Sequence, residues 1–163
     1  MLKNQLHKNM QETEKILLLQ KELEALEFSE WTKEKALIKY TQKIPSFPIT
    51  THFIYWCNLG INIGSEQNKL RPAIIVRTHT KSPICTILPL TSVRIKDNRW
   101  YHIDLAEQNS TVLIEHLRNI SKLRILKPQR NSGKLVRITG EDVSKINFAI
   151  EKYYKLPLLP DKQ

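Results

Sequence analysis

The sequence predicts a mainly β domain, a compact and strongly curved sheet or small barrel with a C-terminal helix, preceded by an N-terminal helical segment. Three observations carry this reading. Residues 6–43 contain no Gly or Pro and are dominated by Leu, Glu, Lys and Gln, all strong helix formers. From residue 52 onward the apolar residues fall into short runs separated by turn residues, the pattern of strands. All four glycines, Gly60, Gly64, Gly133 and Gly140, lie in that second part. Between the parts, Ile-Pro-Ser-Phe-Pro-Ile-Thr-Thr at 44–51 reads as a linker, because Pro45 and Pro48 favour extended neighbours and stop a preceding helix. The expected organisation is a helical extension over 1–43, a linker over 44–51, a barrel domain over 52–156 and a tail over 157–163.

In the extension, Ile16, Leu19, Leu23 and Leu26 follow a 3-4-3 spacing and share one helix face. Ser29 is placed to N-cap a second helix carrying Trp31, Ala36, Leu37 and Tyr40. The segment therefore reads as a helical hairpin packed on itself or on the following domain, or as a short coiled coil or docking arm for a partner. In the second part, residues 52–58 form an aromatic-rich strand, and 59–70, polar and containing Gly60 and Gly64, a long loop. Residues 72–76 are continuously apolar, as in a strand buried on both faces. Further strands are expected at 84–90, 100–105 and 110–117, with a short sixth at 135–138. Thr139 resembles an N-cap with Asp142 three residues on, close to a capping box. Val143, Ile146, Ala149, Ile150 and Tyr153 then give a helical face that ends before Pro157.

Of the 163 residues, 40% are hydrophobic, enough for one core, yet no run of 18 apolar residues suggests a membrane span. Residues 1–9 are polar and predict no secretory signal. Cys57 and Cys85 are 28 positions apart and make neither a CxxC pair nor a four-ligand zinc site, so a reduced, cytoplasmic protein is expected. Lys and Arg number 26 against 16 acids, a formal charge of +10. Residues 1–50 hold eight Lys and seven Glu, leaving +9 for residues 51–163. Between Arg118 and Arg137 stand seven basic residues and no acid: Arg118, Lys122, Arg124, Lys127, Arg130, Lys134 and Arg137. Arg94, Lys96 and Arg99 adjoin Trp100 and Tyr101 in a second cluster. Basic groups interleaved with aromatics suit single-stranded nucleic acid, where charge tracks the backbone and rings stack on bases; a solvated basic face has the same composition.

The stretch 64–72, Gly-Ser-Glu-Gln-Asn-Lys-Leu-Arg-Pro, is the most informative. Glu66 and Arg71 bracket a polar loop that feeds into a buried strand, and a strand end holds a catalytic group rigidly. A carboxylate can take a proton, and an arginine can grip phosphate through its planar fork; an incidental surface ion pair uses the same residues. Thr91 and Ser92 end the strand 84–90 with two hydroxyls, suited to cap the following turn or to bond a phosphate. The five histidines, His7, His52, His79, His102 and His116, show no spacing that singles out a catalytic pair. Cys57 and Cys85 lie inside apolar runs and read as small buried hydrophobes. No P-loop, GxGxxG or His-rich metal spacing occurs.

Taken together, these motifs resemble the MazF/PemK family of type II toxin endoribonucleases over residues 52–155. The match runs through Gly64-Ser65-Glu66-Gln67 and Arg71-Pro72 leading into Ala73-Ile74-Ile75-Val76, then Leu88-Pro89-Leu90-Thr91-Ser92. It continues through 110–120, Ser-Thr-Val-Leu-Ile-Glu-His-Leu-Arg-Asn-Ile, and through Glu141-Asp142 opening a helix. The resemblance implies a small SH3-like barrel of the MazF/CcdB type with an appended C-terminal helix, usually a homodimer. It implies an mRNA interferase that cuts single-stranded RNA without metal or other cofactor and leaves 2′,3′-cyclic phosphate and 5′-hydroxyl ends. A cognate antitoxin protein is the expected partner, with DNA binding by the pair.

By the same resemblance Glu66 is the general base, Arg71 the acid and phosphate ligand, and Thr91 the contact to the scissile region. Gly64, Ser65 and Gln67 shape the RNA groove, and Lys69, Ser92, Arg94, Arg118, Lys122 and Arg124 complete the expected RNA-binding set. The sequence departs from the family at His52-Phe53, where many members have Gly-Asp, and at Ile61, where Pro is frequent. It departs again at Lys69, where Gly is common, and at His116, where Gln is frequent. Segment 1–43 lies outside the resemblance. Two rival readings share the barrel: a CcdB-type gyrase poison that grips a protein target, and a catalytically silent RNA-binding relative. The joint presence of Glu66, Arg71 and Thr91 favours the nuclease.

Overall fold

A computed structural model describes residues 2–94 and 96–156; the expected tail at 157–163 lies outside the described residues. The chain divides into two units, 1–42 and 43–163.

The first unit is one helix, α1 (Leu2–Thr41), and not the hairpin expected from Ser29. Ser29 sits inside it. A lone serine among strong helix formers costs only a few tenths of a kcal/mol, and with no Gly or Pro nearby nothing breaks the ladder. Thr13, Thr32 and Thr41 turn their hydroxyls back onto the carbonyls of Asn9, Phe28 and Leu37, a local bond that a helix tolerates at a small cost. Ile16, Leu19, Leu23 and Leu26 are exposed.

The second unit is mainly antiparallel sheet. Its strands are β1 (Ile54–Asn58), β2 (Leu70–Thr78), β3 (Ile84–Thr91), β4 (His102–Asp104), β5 (Thr111–Leu113), β6 (Arg118–Ser121) and β7 (Ile125–Pro128). They are ordered β4-β5-β3-β2-β1-β7, with β6 also on β3. A two-stranded ribbon, β8 (Arg130–Asn131) with β9 (Lys134–Leu135), precedes the final helix α2 (Gly140–Tyr154).

Alternation along the central strands builds two cores. Ile54, Ile74, Leu88 and Leu90 face one side with Val112 and Ile114, where Ile146 and Ala149 of α2 cover them. Tyr55, Cys57, Ala73, Ile75 and Ile87 face the other side with Ile120 and Ile125, and Phe47, Ile49 and Phe53 pack at its margin. This two-sided burial explains the continuous apolar run in β2, where each fully buried Ile contributes about 1.5–3 kcal/mol. The helix α2 starts as the sequence predicts. The Thr139 hydroxyl accepts from Asp142 N, and the Asp142 carboxylate accepts from Thr139 N, a complete capping box.

The strand expected at 110–117 is broken. β5 and β6 both pair with β3, Thr91 opposite Thr111 and Ile87 opposite Arg118. Between those pairs the register steps by three residues, and a 3-10 turn at Ile114–His116 absorbs the step. At 135–138 the ladder runs only through Leu135. Val136 and Ile138 instead bond back to the start of β1, at Ile54 N and His52 O. β6, β7 and β8 lie in the basic run, where alternating Lys and Arg hide the strand pattern.

Candidate functional site

The ends of four strands converge at one edge of the sheet: the end of β1, the start of β2, the end of β3 and the start of β7. Pairing fixes this, since Cys57 stands opposite both Arg71 and Ile125, and Ala73 opposite Pro89. Arg71 and Thr91 each lie two residues beyond the Ala73–Pro89 pair. With a side-chain period of two, they share a face of the sheet.

The loop between β1 and β2 is built by asparagines. Leu59 N donates to Lys69 O and Lys69 N to Gly60 O, closing its base. Asn58 Oδ1 accepts from Gly60 N. Within the loop, Asn62 Nδ2 donates to Gln67 O at 2.8 Å, and Asn62 N donates to Asn68 Oδ1 at 2.9 Å. Gly64, Ser65 and Glu66 form the exposed tip, and Gly64 takes a left-handed φ of +59°. Gln67 is half-buried, and its Oε1 is buried with no partner among the described residues. Lys69 has φ 62°, so it holds the left-handed conformation that a glycine would adopt without strain.

Arg71 donates through Nε to Asn68 O at 2.8 Å. That bond fixes the guanidinium plane and leaves its terminal nitrogens without a partner among the described residues, a fork ready for an oxyanion. The buried Thr91 hydroxyl accepts from Val93 N at 3.3 Å, as a strand-end cap does, and keeps its own hydrogen to donate. Ser92 and Arg94 follow on exposed backbone. No ion pair joins Glu66 to Arg71 among the described residues; Glu66 stands at the loop tip and Arg71 on the strand.

The basic run divides by role. Arg118 is half-buried at the start of β6. Arg124 is spent on the framework, donating from Nη1 to the carbonyls of Asn58 and Leu59 at 3.1 and 3.0 Å. Burial, and then the charge of Arg118, push its proton affinity down. Lys122, expected to bind RNA, instead is buried at 6% exposure with Nζ on His79 O at 2.7 Å, so its charge serves the fold.

Beside this edge, the 3-10 turn presents Glu115 and His116. Glu115 Oε1 lies 2.7 Å from Nε2 of the buried His102, whose Nδ1 lies 2.5 Å from Asp97 Oδ2. Burial works to raise the Asp97 carboxyl, but the bonds from His102 and Arg99 N and the charges of both residues together hold it below the usual range. Sequence reasoning missed Asp97, His102 and Glu115 as a group because their contacts join a loop, a strand and a turn. It missed Asn58, Asn62 and Asn68 because loop-building asparagines look like any polar linker. Among the described residues no group of three or more His, Cys, Asp or Glu side chains is placed to hold a metal ion. No described helix is long and apolar enough to cross a membrane.

No curated protein sequence matches the chain. Among solved structures it is similar to MazF from Deinococcus radiodurans, with a TM-score of 0.55 at 17% identity, covering 66% of this chain and 97% of that one. It is also similar to the MazE-MazF structure from the same organism, with a TM-score of 0.51 at 17% identity, covering 66% and 96%. These likenesses establish the fold. The model of the family described as PemK-like, MazF-like toxin of type II toxin-antitoxin system matches residues 52–154, which span the whole sheet, the β1–β2 loop that leads to Arg71 and all of α2. With a family match over more than half its length, the chain belongs to the PemK-like, MazF-like toxins of type II toxin-antitoxin systems.

Proposed function

We propose that the chain is an endoribonuclease that cuts single-stranded RNA by attack of the ribose 2′-hydroxyl on its own phosphate. The observation that carries this is the placement of Arg71 and Thr91 on one face at the ends of adjacent strands, with Arg94 and Arg118 nearby. The nucleophile belongs to the substrate, so the protein has only to orient the phosphate, stabilise its developing charge and move protons. The Arg71 fork offsets charge on the phosphoryl oxygens, where preorganised donors act most strongly. The Thr91 hydroxyl donates to the phosphate and holds it in line. Glu66 is the residue that the family resemblance implies as base. Gly64, Ser65, Gln67, Lys69 and Ser92 border the path of the RNA, with Arg94 and Arg118 on its phosphates. A cognate antitoxin protein restrains the toxin, which acts as a homodimer.

The test is incubation of the purified protein with long single-stranded RNA in EDTA, followed by mapping of the product ends. Cyclic phosphate and 5′-hydroxyl ends support the reading. A folded protein that leaves the RNA intact, or that needs a divalent ion, overturns it.

A further inference from the structure

The turn Ile114–His116 is a rigid mount. Ile114 N donates to Tyr101 O, Leu117 N donates to Ile114 O, and the Tyr154 hydroxyl of α2 donates to the same oxygen at 2.9 Å. The Ile114 side chain is fully buried. The register step in β3's partners throws Glu115 and His116 off the ladder at this point, close to the end of β3 that carries Thr91. Glu115 Oε1 lies 3.9 Å from His116 Nε2, while Glu115 Oε2 is buried with no partner among the described residues. Ionised carboxylates only accept hydrogen bonds. His102, bonded to one on each side, therefore carries hydrogen on both nitrogens, or one of the carboxyls carries a proton. The array Asp97–His102–Glu115 thus holds Glu115 in place beneath the half-buried His116.

The charged groups facing His116 are Glu115 on its own turn, His102 from β4, Arg94 from the segment after β3 and Arg118 from β6. Burial above all lowers the proton affinity of His116. Glu115 opposes this, and the charges of Arg94, His102 and Arg118 add to it. The ring is thereby neutral near pH 7 and offers a nitrogen lone pair within the field of two arginines, Arg94 and Arg118, that suit phosphates. Glu66, by contrast, is exposed at the tip of a loop, with no side-chain partner among the described residues.

Resting on the endoribonuclease reading, we infer that His116, and not Glu66, takes the proton from the ribose 2′-hydroxyl, with Glu115 as its positioning residue. In the step, the 2′-O–H bond breaks and an N–H bond forms on the imidazole. The 2′-oxygen bonds to phosphorus as the P–O5′ bond breaks. The 5′-oxygen takes a proton from water, and the imidazolium returns its own to the hydroxide left behind, so no water is consumed. Glu115 stabilises the imidazolium formed on the way.

The experiment compares full-length wild type, His116→Gln, His116→Ala and Glu66→Gln on long single-stranded RNA, with the affinity of each for 2′-O-methyl RNA measured alongside. His116→Gln preserves bulk and polarity at a partly exposed site, so it keeps the fold. The expected fall in kcat for His116→Gln is ~10²–10⁴-fold, the usual worth of positioned proton transfer, with affinity for the 2′-O-methyl RNA unchanged. Added imidazole should restore part of the His116→Ala rate, which a merely structural role would not allow. In wild type, kcat should rise with pH through a midpoint below the ordinary histidine value, and His116→Gln should lose that limb. Wild-type cleavage that His116→Gln retains, or a larger loss in Glu66→Gln, overturns the inference alone. A wild type that cuts no RNA overturns the endoribonuclease reading and the inference with it.

Discussion

Arg124 Nη1 lies 3.1 Å from Asn58 O and 3.0 Å from Leu59 O, so a residue of the basic run clamps the exit of β1 where the candidate RNA loop begins. Part of the positive charge in this run is therefore committed to the framework, at Arg124 and Lys122. Arg118→Gln and Arg94→Gln should each lower the slope of log affinity against log salt by roughly 1, the signature of one lost phosphate contact, with melting temperature little changed. Lys122→Met should do the reverse, leaving the slope intact and lowering the melting temperature because His79 O loses its donor. Anisotropy of a labelled 2′-O-methyl RNA across a salt series, with thermal melts of each variant, checks both. Equal slopes for all three variants would contradict the division.

Lys69 occupies a conformation that costs a side-chain-bearing residue about 1–2 kcal/mol. Lys69→Gly removes that strain and adds unfolded-state entropy worth somewhat less, about 0.5–1 kcal/mol. The lysine side chain's own contact is lost as well, so the expected net is a change of no more than about 1 kcal/mol, read in the urea midpoint. Lys69→Val, β-branched at the same φ, should lose stability. A neutral Lys69→Val would show that the loop relaxes out of the left-handed conformation.

Much of this molecule is legible from its sequence because local signals agree with the fold. The run Ala73-Ile74-Ile75 announces a strand buried on both faces, and Thr139 with Asp142 announces the start of α2. Arg71 and Thr91 can be found because each ends a strong apolar strand. Elsewhere the information is tertiary. Nothing local marks the three-residue step between β5 and β6, since it arises from how β3 shares its two partners. Nor does composition distinguish Lys122, whose ammonium finds a carbonyl 43 positions away, from the basic residues left at the surface. Ser29 misleads in the opposite direction, because a capping residue starts a helix only where the helix before it has already stopped.

The two cysteines supply a prediction about pH. Burial pushes the Cys85 thiol up to about 11, against a smaller opposing pull from Lys122, and raises Cys57 further still, with Cys85 adding to the effect. At pH 8 the native protein should resist iodoacetamide and react at both thiols once unfolded in urea, because the thiolate is the nucleophile. Folding raises both affinities for the proton, so their contribution to stability is intact below about pH 9, the ordinary thiol value, and is lost as pH climbs toward about 11. Urea midpoints measured from pH 7 to 11 should fall on the alkaline side. Fast labelling of native protein at pH 8 would place a thiol at the surface.

Arg71 makes the sharpest prediction about chemistry. Its Nε is committed to Asn68 O, and its terminal nitrogens have no partner among the described residues. Arg71→Lys keeps the charge but loses both the anchoring bond and the planar fork, so it should rescue little. Removal of a charged donor that acts mainly in the transition state costs ~10²–10³-fold in rate, and Arg71→Ala and Arg71→Lys should both fall in that range. Thr91→Ala should lose less, since a neutral hydroxyl contributes a weaker bond. DNA, and RNA methylated at the 2′-oxygen of the cut site, should bind yet resist cleavage, because neither offers the nucleophile. Single-turnover rates on one mapped site, with melts to confirm folding, decide the ranking. Full activity of Arg71→Lys would show that charge alone suffices, and cleavage of the methylated site would remove the 2′-hydroxyl from the mechanism.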